Sequence, residues 1–437
     1  MAFKVAIIGS GISGLGAAHA LSGYADITLL EAGSYFGGHT NTVDVTLPDV
    51  QGRSITHGVD TGFLVFNERT YPNLIALLSQ LDVRTAKSDM SFSVQAPRGG
   101  NVTPLVWSGT DLNGLFAQRS NLLNPQFWGM LKDLMRFNAL CTRLAESGTE
   151  AQMQQTLGAF LDEQHFGKAF RAWYFMPMMA CIWSCPTQQM LEFPVATMVR
   201  FCHNHGLLQV TNRPQWWTVQ GGARHYVQAI TYSITDKRLN SPVNALRYDA
   251  EANGAQGGVW VHTAQGQELF DRAIVATHSD QALAMLHDAS SQERAVLGAI
   301  RYQPNVAVLH TDTAVMPPQR AAWAAWNYEC AQDARQEESR VCLHYWINRL
   351  QPLPWKDDVI VSLNPVRAID PAKIIRRIDY AHPVFDLAAM AAQRQMSDIQ
   401  GVRGCYFAGA WMGYGFHEDG LKAGMTAAKT LLKDRAI

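Results

Sequence analysis

Three glycines near the N-terminus, Gly9, Gly11 and Gly14, have the spacing of a turn that binds a dinucleotide. Gly9 permits the tight turn after a strand, Gly11 lets the backbone approach a pyrophosphate, and Gly14 lets the following helix pack closely. Ile12 and Ser13 stand at the start of that helix, where free N–H groups and the positive end of the helix dipole favour phosphate. This segment therefore predicts a pyrophosphate site.

A carboxylate follows at the spacing expected for a ribose contact. Glu31 lies 22 residues after Gly9, between an apolar run over residues 27–30 and Ala32. Its oxygens would accept hydrogen bonds from ribose hydroxyls, and its negative charge would repel a 2′-phosphate. The sequence therefore favours NAD or FAD over NADP.

The elements that must position these residues form a βαβ unit, with strands over 4–8 and 27–30 and a helix over 15–21. A loop is predicted from there to Gly58, and a short amphipathic helix over 71–82. Alternating apolar residues predict strands within 83–110, and apolar residues at three- and four-residue spacing predict helices from about 112 to 205. Strands are predicted again within 243–277, 305–313, 341–347 and 405–409, before a last helix from about 418.

This order predicts a nucleotide-binding domain in three pieces, at the start, middle and end of the chain. The predicted boundaries are 1–85, 218–300 and 396–437 for that domain, and 86–217 and 301–395 for a substrate domain. The second domain has a helical, aromatic-rich part, in which the segment 173–201 is a candidate wall for an apolar channel. Trp323, Trp326, Asn327 and Tyr328 are interpreted as core or pocket lining.

Composition restricts the class of partner. The 437 residues carry a formal charge of −1 without a long run of one sign, which argues against nucleic-acid binding. Charged residues make up 17% of the chain, below the usual ~25%, and there are 12 tryptophans. The chain therefore has apolar surface to bury, either in a large core or around an apolar substrate.

The cysteines do not predict a metal site. There are seven, and Cys181 and Cys185 are four residues apart without a second pair that would complete a zinc site. They are interpreted as one face of a buried helix. Scattered cysteines, the absence of a signal-peptide pattern, and an apolar stretch too short to span a bilayer predict a cytoplasmic protein.

Several further motifs resemble one family. Gly37-Gly38-His39-Thr40, Phe407-Ala408-Gly409 and Gly415-Phe416-His417-Glu418-Asp419-Gly420 are similar to motifs of the FAD-dependent amine-oxidase-like flavoproteins. That superfamily includes monoamine oxidase, protoporphyrinogen oxidase, phytoene desaturase and a polyunsaturated fatty acid isomerase. The runs 180–184, 204–208 and 413–420 resemble one subgroup, the predicted NAD/FAD-binding proteins associated with cyclopropane fatty acid synthases.

The resemblance implies an α/β fold, with a Rossmann-like FAD-binding domain of the amine-oxidase type and an inserted α+β substrate domain. It implies noncovalent FAD, because no cysteine stands in a setting typical of covalent attachment. The late glycine-rich segment would form the second half of an extended FAD site. Beyond the N-terminal turn, Glu31 and Ala32, the implied cofactor-binding residues are Gly37, Gly38, His39, Thr40, Gly62, Phe63, Val243, Ala276, Gly409, Phe416, His417, Glu418, Asp419 and Gly420.

The chain also departs from this family. Amine oxidases usually have an acidic residue after the last Ala-Gly, where this chain has Ala410, so Glu418 or Asp419 would have to replace it. The lysine that holds a water near the flavin in many amine oxidases has no clear match. This departure disfavours oxygen-dependent amine oxidation.

Candidate catalytic residues follow from the same motif. Phe416 falls where amine oxidases place one wall of an aromatic cage, and Tyr414, Trp411 and Tyr380 are further candidates near the ring. His417 is either an acid/base group or contributes only its backbone N–H.

Polar residues outside that motif are weaker candidates. Arg213 and Arg224 are candidates for an anionic head group. His203 and His205 diverge on a helix and are interpreted as structural.

The functional hypothesis is an FAD-dependent oxidoreductase that acts on an apolar substrate. By the subgroup resemblance, that substrate is an unsaturated or methyl-branched fatty acyl chain. The alternatives are an oxygen-dependent amine oxidase and a non-catalytic flavin-binding partner of a lipid methyltransferase. A peripheral membrane contact is possible under the first hypothesis, although no basic amphipathic helix is evident from the sequence.

Overall fold

The computed structural model describes residues 3–96, 104–149, 153, 155–183, 190–209, 213–255, 257–330 and 341–435. Within them, the strands are β1 (Lys4–Ile8), β2 (Asp26–Leu30), β3 (Thr42–Pro48), β4 (Ser54–Asp60), β5 (Phe66–Asn67), β6 (Thr85–Ser88), β7 (Phe92–Ala96), β8 (Leu105–Ser108), β9 (Trp216–Val219), β10 (Asp236–Arg238), β11 (Val243–Asp249), β12 (Gly258–Thr263), β13 (Gly266–Phe270), β14 (Arg272–Val275), β15 (Arg301–His310), β16 (Trp326–Glu329), β17 (Cys342–Trp346), β18 (Ile360–Leu363), β19 (Ile374–Val384) and β20 (Cys405–Phe407).

The α-helices of the described residues include several single turns. They are α1 (Ile12–Leu21), α2 (Pro72–Gln80), α3 (Leu112–Leu115), α4 (Pro125–Ser147), α5 (Leu157–Glu163), α6 (Lys168–Phe170), α7 (Met176–Trp183), α8 (Val195–Asn204), α9 (Arg224–Tyr232), α10 (Ala252–Ala255), α11 (Ser279–Met285), α12 (Ser291–Leu297), α13 (Ile347–Leu350), α14 (Leu387–Gln393) and α15 (His417–Asp434). A π-helical turn over Arg171–Phe175 joins α6 to α7.

A parallel sheet of five strands, in the order β10-β2-β1-β14-β20, carries the N-terminal turn. Its central strand β1 is apolar and buried from Val5 to Ile8, as expected for a parallel sheet covered on both faces. The strands predicted at the start, middle and end of the chain thus meet in one sheet. The exact domain boundaries stay a prediction.

The helices α1 and α15 pack against each other beside this sheet, although about 400 residues separate them in the chain. Their contact needs small residues, because a Cβ at Gly420 would lie 2.7 Å from Ile12 Cγ2. The start of α15 is therefore held next to the start of α1. Both helix N-termini face the same side of the molecule as Gly9, at the carboxyl end of β1.

A second sheet has seven strands in the order β19-β15-β18-β17-β16-β7-β8. All its neighbouring strands are antiparallel except β16 and β7. Side chains alternate between its two faces. On β17, Tyr345 points to one face, while Cys342 and His344 point to the other.

The predicted helical region between 112 and 205 packs around phenylalanine rings. Phe137 has ring contacts with Phe166, Phe170 and Phe175 at 5.6, 5.4 and 5.1 Å between centroids. Cys181 is buried on α7, whereas Cys185 and Ser184 lie outside the described residues. The prediction of one buried helix face is therefore borne out for Cys181 alone.

The segment before Gly58 was predicted as a loop, and this was wrong. Residues 42–60 form the antiparallel hairpin β3–β4, with Thr42 paired to Asp60 and Pro48 to Ser54. The turn residue Asp49 accepts hydrogen bonds from the backbone N–H groups of Gln51 and Arg53. Only a few of the hairpin's side chains are buried, so its apolar alternation is weak in the sequence.

Candidate active site

One cavity of about 860 Å³ connects the N-terminal turn with the last glycine-rich segment. Its volume lies in the upper part of the range for small-molecule and cofactor sites, about 300–1,000 Å³. The lining continues from the carboxyl end of β1 to the inner face of the seven-stranded sheet. The predicted cofactor residues that line it are Gly9, Gly11, Ile12, Ser13, Glu31, Ala32, Gly37, Gly38, His39, Gly62, Phe63, Val243, Ala276, Gly409, Phe416 and His417.

The start of α1 is open toward this cavity. Gly11 is the N-cap and supplies no side chain to the first N–H groups, and no acidic residue stands in the first turn. A Cβ at Gly11 would meet no atom within 4 Å, whereas one at Gly14 would lie 1.9 Å from Gly9 O. Gly14 therefore serves helix packing, and Gly11 keeps free space over the helix start for an anionic group.

Glu31 is held in a fixed orientation at the same end of the cavity. Its carboxylate accepts hydrogen bonds from the backbone N–H and hydroxyl of Ser10 and from the N–H of Gly33 at 2.8 Å. Four acceptor positions are available on a carboxylate, and these three bonds leave capacity for a ribose hydroxyl. Val243 and Ala276 line the cavity close by.

His39 lies in the middle of the cavity, stacked on Tyr380 with 4.7 Å between ring centroids. Its Nε2 is buried and has no hydrogen-bond partner among the described residues. Burial and the neighbouring His382 hold its pKa well below the usual value, so the ring is neutral. A buried ring nitrogen without a partner is the kind of group that a bound polar ligand satisfies.

His417 begins α15 and lies under the cavity floor. Its ring stacks on Phe63 at 3.8 Å, and its Nε2 forms a hydrogen bond of 2.7 Å with the hydroxyl of Tyr226. Tyr226 is bonded in turn to Thr40, which does not line the cavity itself. Burial lowers the pKa of His417 to about 3, so its ring resists taking up a proton. This favours the interpretation in which only its backbone N–H faces a ligand.

Aromatic side chains from distant segments form one wall. Phe416 stacks on Phe201 of α8 at 4.9 Å, and Tyr414 lies 6.2 Å from the same ring. His205 stacks on Phe201 at 3.9 Å, with a hydrogen bond between its Nδ1 and the Phe201 carbonyl. His205 was interpreted as a structural residue, but its ring lines the cavity beside Phe416. His203 instead lies 4.0 Å from Glu146, away from the cavity.

The half of the cavity away from the N-terminal turn is apolar. Among the described lining residues there is no lysine, arginine or aspartate, and Glu31 is the one carboxylate. The described part of the segment 173–201 contributes side chains to the cavity wall, as predicted. Trp326 also lines the cavity. The apolar lining includes Met90, Phe92, Met178, Cys181, Ile182, Trp183, Leu207, Trp326, Tyr345, Val361 and Leu363.

Besides Gly14 and Thr40, three predicted cofactor residues lie outside the cavity lining: Glu418, Asp419 and Gly420. Glu418 accepts hydrogen bonds from the backbone N–H groups of Asn73 and Leu74 and so caps α2. Asp419 accepts from the N–H groups of Tyr414 and Phe416 and orders the loop before α15. Gly420 serves the contact between α15 and α1. The carboxylates of Glu418 and Asp419 therefore accept hydrogen bonds from backbone N–H groups. The sequence alone does not reveal these donors.

The arginines proposed for an anionic head group are also placed away from the cavity. Arg224 is paired with Asp44 on the hairpin, and Arg213 donates to the carbonyl of Gln209. Neither is among the lining residues. The described part of the cavity therefore offers no cation to a carboxylate.

A buried polar cluster lies on the opposite face of the seven-stranded sheet. Glu329, Cys342 and His344 bring potential metal-ligand atoms within 4.8 Å of one another. The Glu329 carboxylate is already bound by Arg367 and, at 3.0 Å, by His344. These ion pairs account for the cluster without a metal, since each charge has a partner.

Known proteins share a Rossmann-like segment and the overall fold with this chain. A family model described as an NAD(P)-binding Rossmann-like domain matches residues 7–81. Cyclohexylamine oxidase from Brevibacterium oxydans IH-35A is similar over 100% of both chains, with a TM-score of 0.67 and 17% identity. The chain has the amine-oxidase-like flavoprotein fold.

Two further structures with this fold are enzymes of different kinds. A CLA-producing fatty acid isomerase from P. acnes matches over 98% of both chains, with a TM-score of 0.64 and 14% identity. Putrescine oxidase bound to putrescine matches over 99% of both chains, with a TM-score of 0.65 and 14% identity. No curated protein sequence gives a significant match.

These findings confirm the predicted α/β fold, with a Rossmann-like segment near the N-terminus. Membership of the superfamily, a noncovalent FAD and an oxidoreductase activity stay predictions. The cavity fits such a cofactor, because the space over Gly11, the oriented Glu31 and the unpaired His39 Nε2 follow one another along it. The association with cyclopropane fatty acid synthases stays a prediction.

Proposed function

We propose that this flavoprotein-fold chain holds FAD noncovalently and oxidises or isomerises an unsaturated or methyl-branched fatty acyl chain. The observation that carries the proposal is the apolar half of the cavity, whose described lining has no charged side chain. Burying an ammonium or a carboxylate there without a partner would cost several kcal/mol. Bound FAD supplies a ring that accepts hydride from the substrate.

In this proposal, the chain's own residues bind the cofactor and orient the substrate. The start of α1 and Gly11 receive the pyrophosphate, and Glu31 receives the ribose. The apolar walls formed by α7, α8 and the seven-stranded sheet exclude water and align a hydrocarbon chain, which lowers the entropy cost of reaching a reactive geometry. Phe416 and Phe201 form the wall at the junction of the two halves.

The histidines that line this cavity are neutral at pH 7. Burial lowers the pKa of each histidine in its lining, to about 4 for His205 and His382 and about 3 for His417. None of these rings therefore offers an imidazolium to an anionic group at neutral pH. This supports a substrate whose reacting part is uncharged.

Product analysis tests the proposal. Purified protein should be yellow, and heat or acid should release FAD. Incubation with lipids that carry unsaturated or methyl-branched acyl chains should yield chains lighter by two hydrogens, one chain for each FAD that is reduced, or isomers of unchanged mass. Colourless protein that takes up no FAD would contradict the proposed cofactor. Lipids that remain unchanged would contradict the proposed substrate class.

Oxygen-dependent amine oxidation is the second candidate, since two of the similar structures are amine oxidases. The aromatic pair Phe416 and Phe201 is compatible with an uncharged amine. This function predicts hydrogen peroxide and an aldehyde or ketone from an amine panel. A non-catalytic role as partner of a lipid methyltransferase predicts no turnover with either class.

A further inference from the structure

Two tryptophans in the apolar half of the cavity carry hydrogen-bond donors that have no partner. The ring nitrogens Trp183 Nε1 and Trp326 Nε1 are buried and form no hydrogen bond within the described parts of the chain. Both side chains belong to the cavity lining, and Trp183 is 5% exposed. A buried donor without an acceptor costs free energy, so each of these N–H groups requires an acceptor that the chain itself does not supply.

Other tryptophans of this fold have their ring nitrogens paired inside the protein. Trp355 Nε1 donates to the carbonyl of Ile55 at 3.0 Å, and Trp411 Nε1 donates to the carbonyl of Thr277 at 3.0 Å. Among the described tryptophans, the two whose ring nitrogen is buried and unpaired both line the cavity. Their position therefore indicates a ligand that brings the missing acceptor.

The two donors belong to cavity walls that contact each other. Trp183 ends α7, and its ring lies 4.8 Å from the ring of Phe201, at the junction of the two halves of the cavity. Trp326 begins β16 and packs edge-on against Tyr345 at 4.9 Å between ring centroids. Because α7 packs against β16, a ligand in the apolar half is bordered by both tryptophans.

The chemistry of these donors restricts the group that a ligand can present to them. An indole N–H donates a hydrogen bond and cannot accept one, so it matches an acceptor oxygen and cannot pair with an ammonium group, which only donates. The described lining contains no lysine or arginine, so a carboxylate would be buried there without a cation. An uncharged carbonyl oxygen satisfies both conditions.

The remaining polar side chains of the apolar half are also uncharged at neutral pH. They are the Cys181 thiol and the Tyr345 hydroxyl, and burial raises the pKa of each. Neither group therefore supplies a charge that would favour an ionic head group over a neutral one.

We propose that the apolar half of the cavity binds its substrate as an ester, with Trp183 and Trp326 donating to the acyl carbonyl oxygen. This inference rests on the proposed function, because it assigns a place to one group of the proposed acyl substrate. A carbonyl oxygen has two lone pairs and can accept both N–H groups. The contact fixes how far the hydrocarbon chain extends along the cavity, and hence which of its carbon atoms lies at the junction with the cofactor half.

Binding of matched probes to the full chain with its FAD tests this inference. No helix among the described residues is long and apolar enough to cross a membrane, and detergent is added at one concentration to disperse the probes. The radiolabelled probes are methyl oleate, sodium oleate and heptadecene, which has the same chain without its carboxyl group. Retention on the immobilised protein gives each dissociation constant, whether or not the probe reacts.

The unchanged protein should bind methyl oleate about tenfold more tightly than heptadecene or oleate, because only the ester brings an uncharged acceptor. Trp183→Phe and Trp326→Phe keep an aromatic ring and remove the N–H group. Each should weaken the binding of methyl oleate about fivefold and leave the binding of heptadecene unchanged.

Trp355→Phe is the matched control. Trp355 is also 5% exposed, but its N–H is already paired within the protein, and it does not line the cavity. This variant should lose stability and keep the same preference for the ester over heptadecene. Retained FAD absorbance shows that each variant is folded, and the preference of the unchanged protein is measured without any variant.

Two results would overturn the inference and leave the proposed function in place. The unchanged protein could bind methyl oleate and heptadecene equally, or both cavity variants could keep the full preference for the ester. Tighter binding of oleate than of methyl oleate would also contradict an uncharged carbonyl. Absence of binding by all three probes would instead contradict the proposed function itself.

Discussion

At the scale of single residues, the predicted pyrophosphate turn and the ribose carboxylate occupy one end of the cavity because they are local in the chain. Gly9, Gly11 and Glu31 belong to one βαβ unit, whose geometry follows from its own sequence. His205 could not be found in this way. Its neighbours Phe201 and Phe416 come from segments that only the fold brings together, so two histidines on a helix carried no signal for a cavity.

Gly11→Glu is expected to abolish FAD retention while the chain still folds. A Cβ at Gly11 meets no atom within 4 Å, so the new side chain enters the cavity and opposes a phosphate with its charge. Absorbance of the purified protein at flavin wavelengths measures retention. Gly129→Glu on α4, another site with open space, is the control and should keep its flavin.

Glu418→Ala is expected to lower stability without loss of FAD. Its carboxylate caps α2 through Asn73 and Leu74, and loss of such a cap typically costs about 0.5–2 kcal/mol. Denaturant unfolding with a parallel flavin titration separates the two effects. Weakened flavin binding at unchanged stability would return Glu418 to the cofactor site.

At the scale of elements, the seven-stranded sheet lies between the cavity and the buried polar cluster, because successive side chains of each strand point to opposite faces. Tyr345 and Val361 face the cavity, while His344 and Ser362 face away into the buried polar cluster. The sequence shows this alternation, but it does not show which face meets a cavity. The β3–β4 hairpin was missed for a related reason: it is hydrogen-bonded to the start of α9 and to Gln351, which lie far along the chain.

The polar cluster predicts a pH-dependent contribution of His344 to stability. Burial lowers the pKa of His344, but Cys342 and Glu329 outweigh it and raise the pKa to about 9. The folded state therefore binds a proton that the unfolded chain releases near pH 6.5. The stabilisation is full below pH 6.5 and is lost as the pH rises through about 9.

His344→Gln checks this prediction. The difference in free energy of unfolding between the unchanged protein and this variant should be largest at pH 6 and shrink toward pH 9. A difference that grows with pH would show that the ring is neutral in the folded state.

At the scale of the whole molecule, one cavity is built from segments hundreds of residues apart, and the histidines in its lining are neutral. The lowered pKa values of His205, His382 and His417 mean that the unfolded chain takes up protons below pH 6.5 that the folded chain does not. Stability should therefore fall from pH 6.5 toward pH 4.

The size of this acid effect can be measured. A histidine with a folded pKa of about 4 costs about 2 kcal/mol at pH 5 relative to neutral pH. Thermal or denaturant unfolding at pH 7 and pH 5 should show a loss of several kcal/mol, and His205→Phe should reduce it. Equal loss in that variant would place the ring of His205 in water.

Anaerobic titration of the purified flavoprotein tests the central claim most directly. Oxidised flavin absorbance is followed while unsaturated fatty acyl lipids, methyl-branched fatty acyl lipids and a panel of amines are added separately. Because the apolar half of the cavity has no charged side chain among its described residues, the account predicts that an acyl class either bleaches the flavin or is recovered as an isomer of unchanged mass, and that amines do not bleach it. Bleaching by amines without any response to acyl lipids would contradict it.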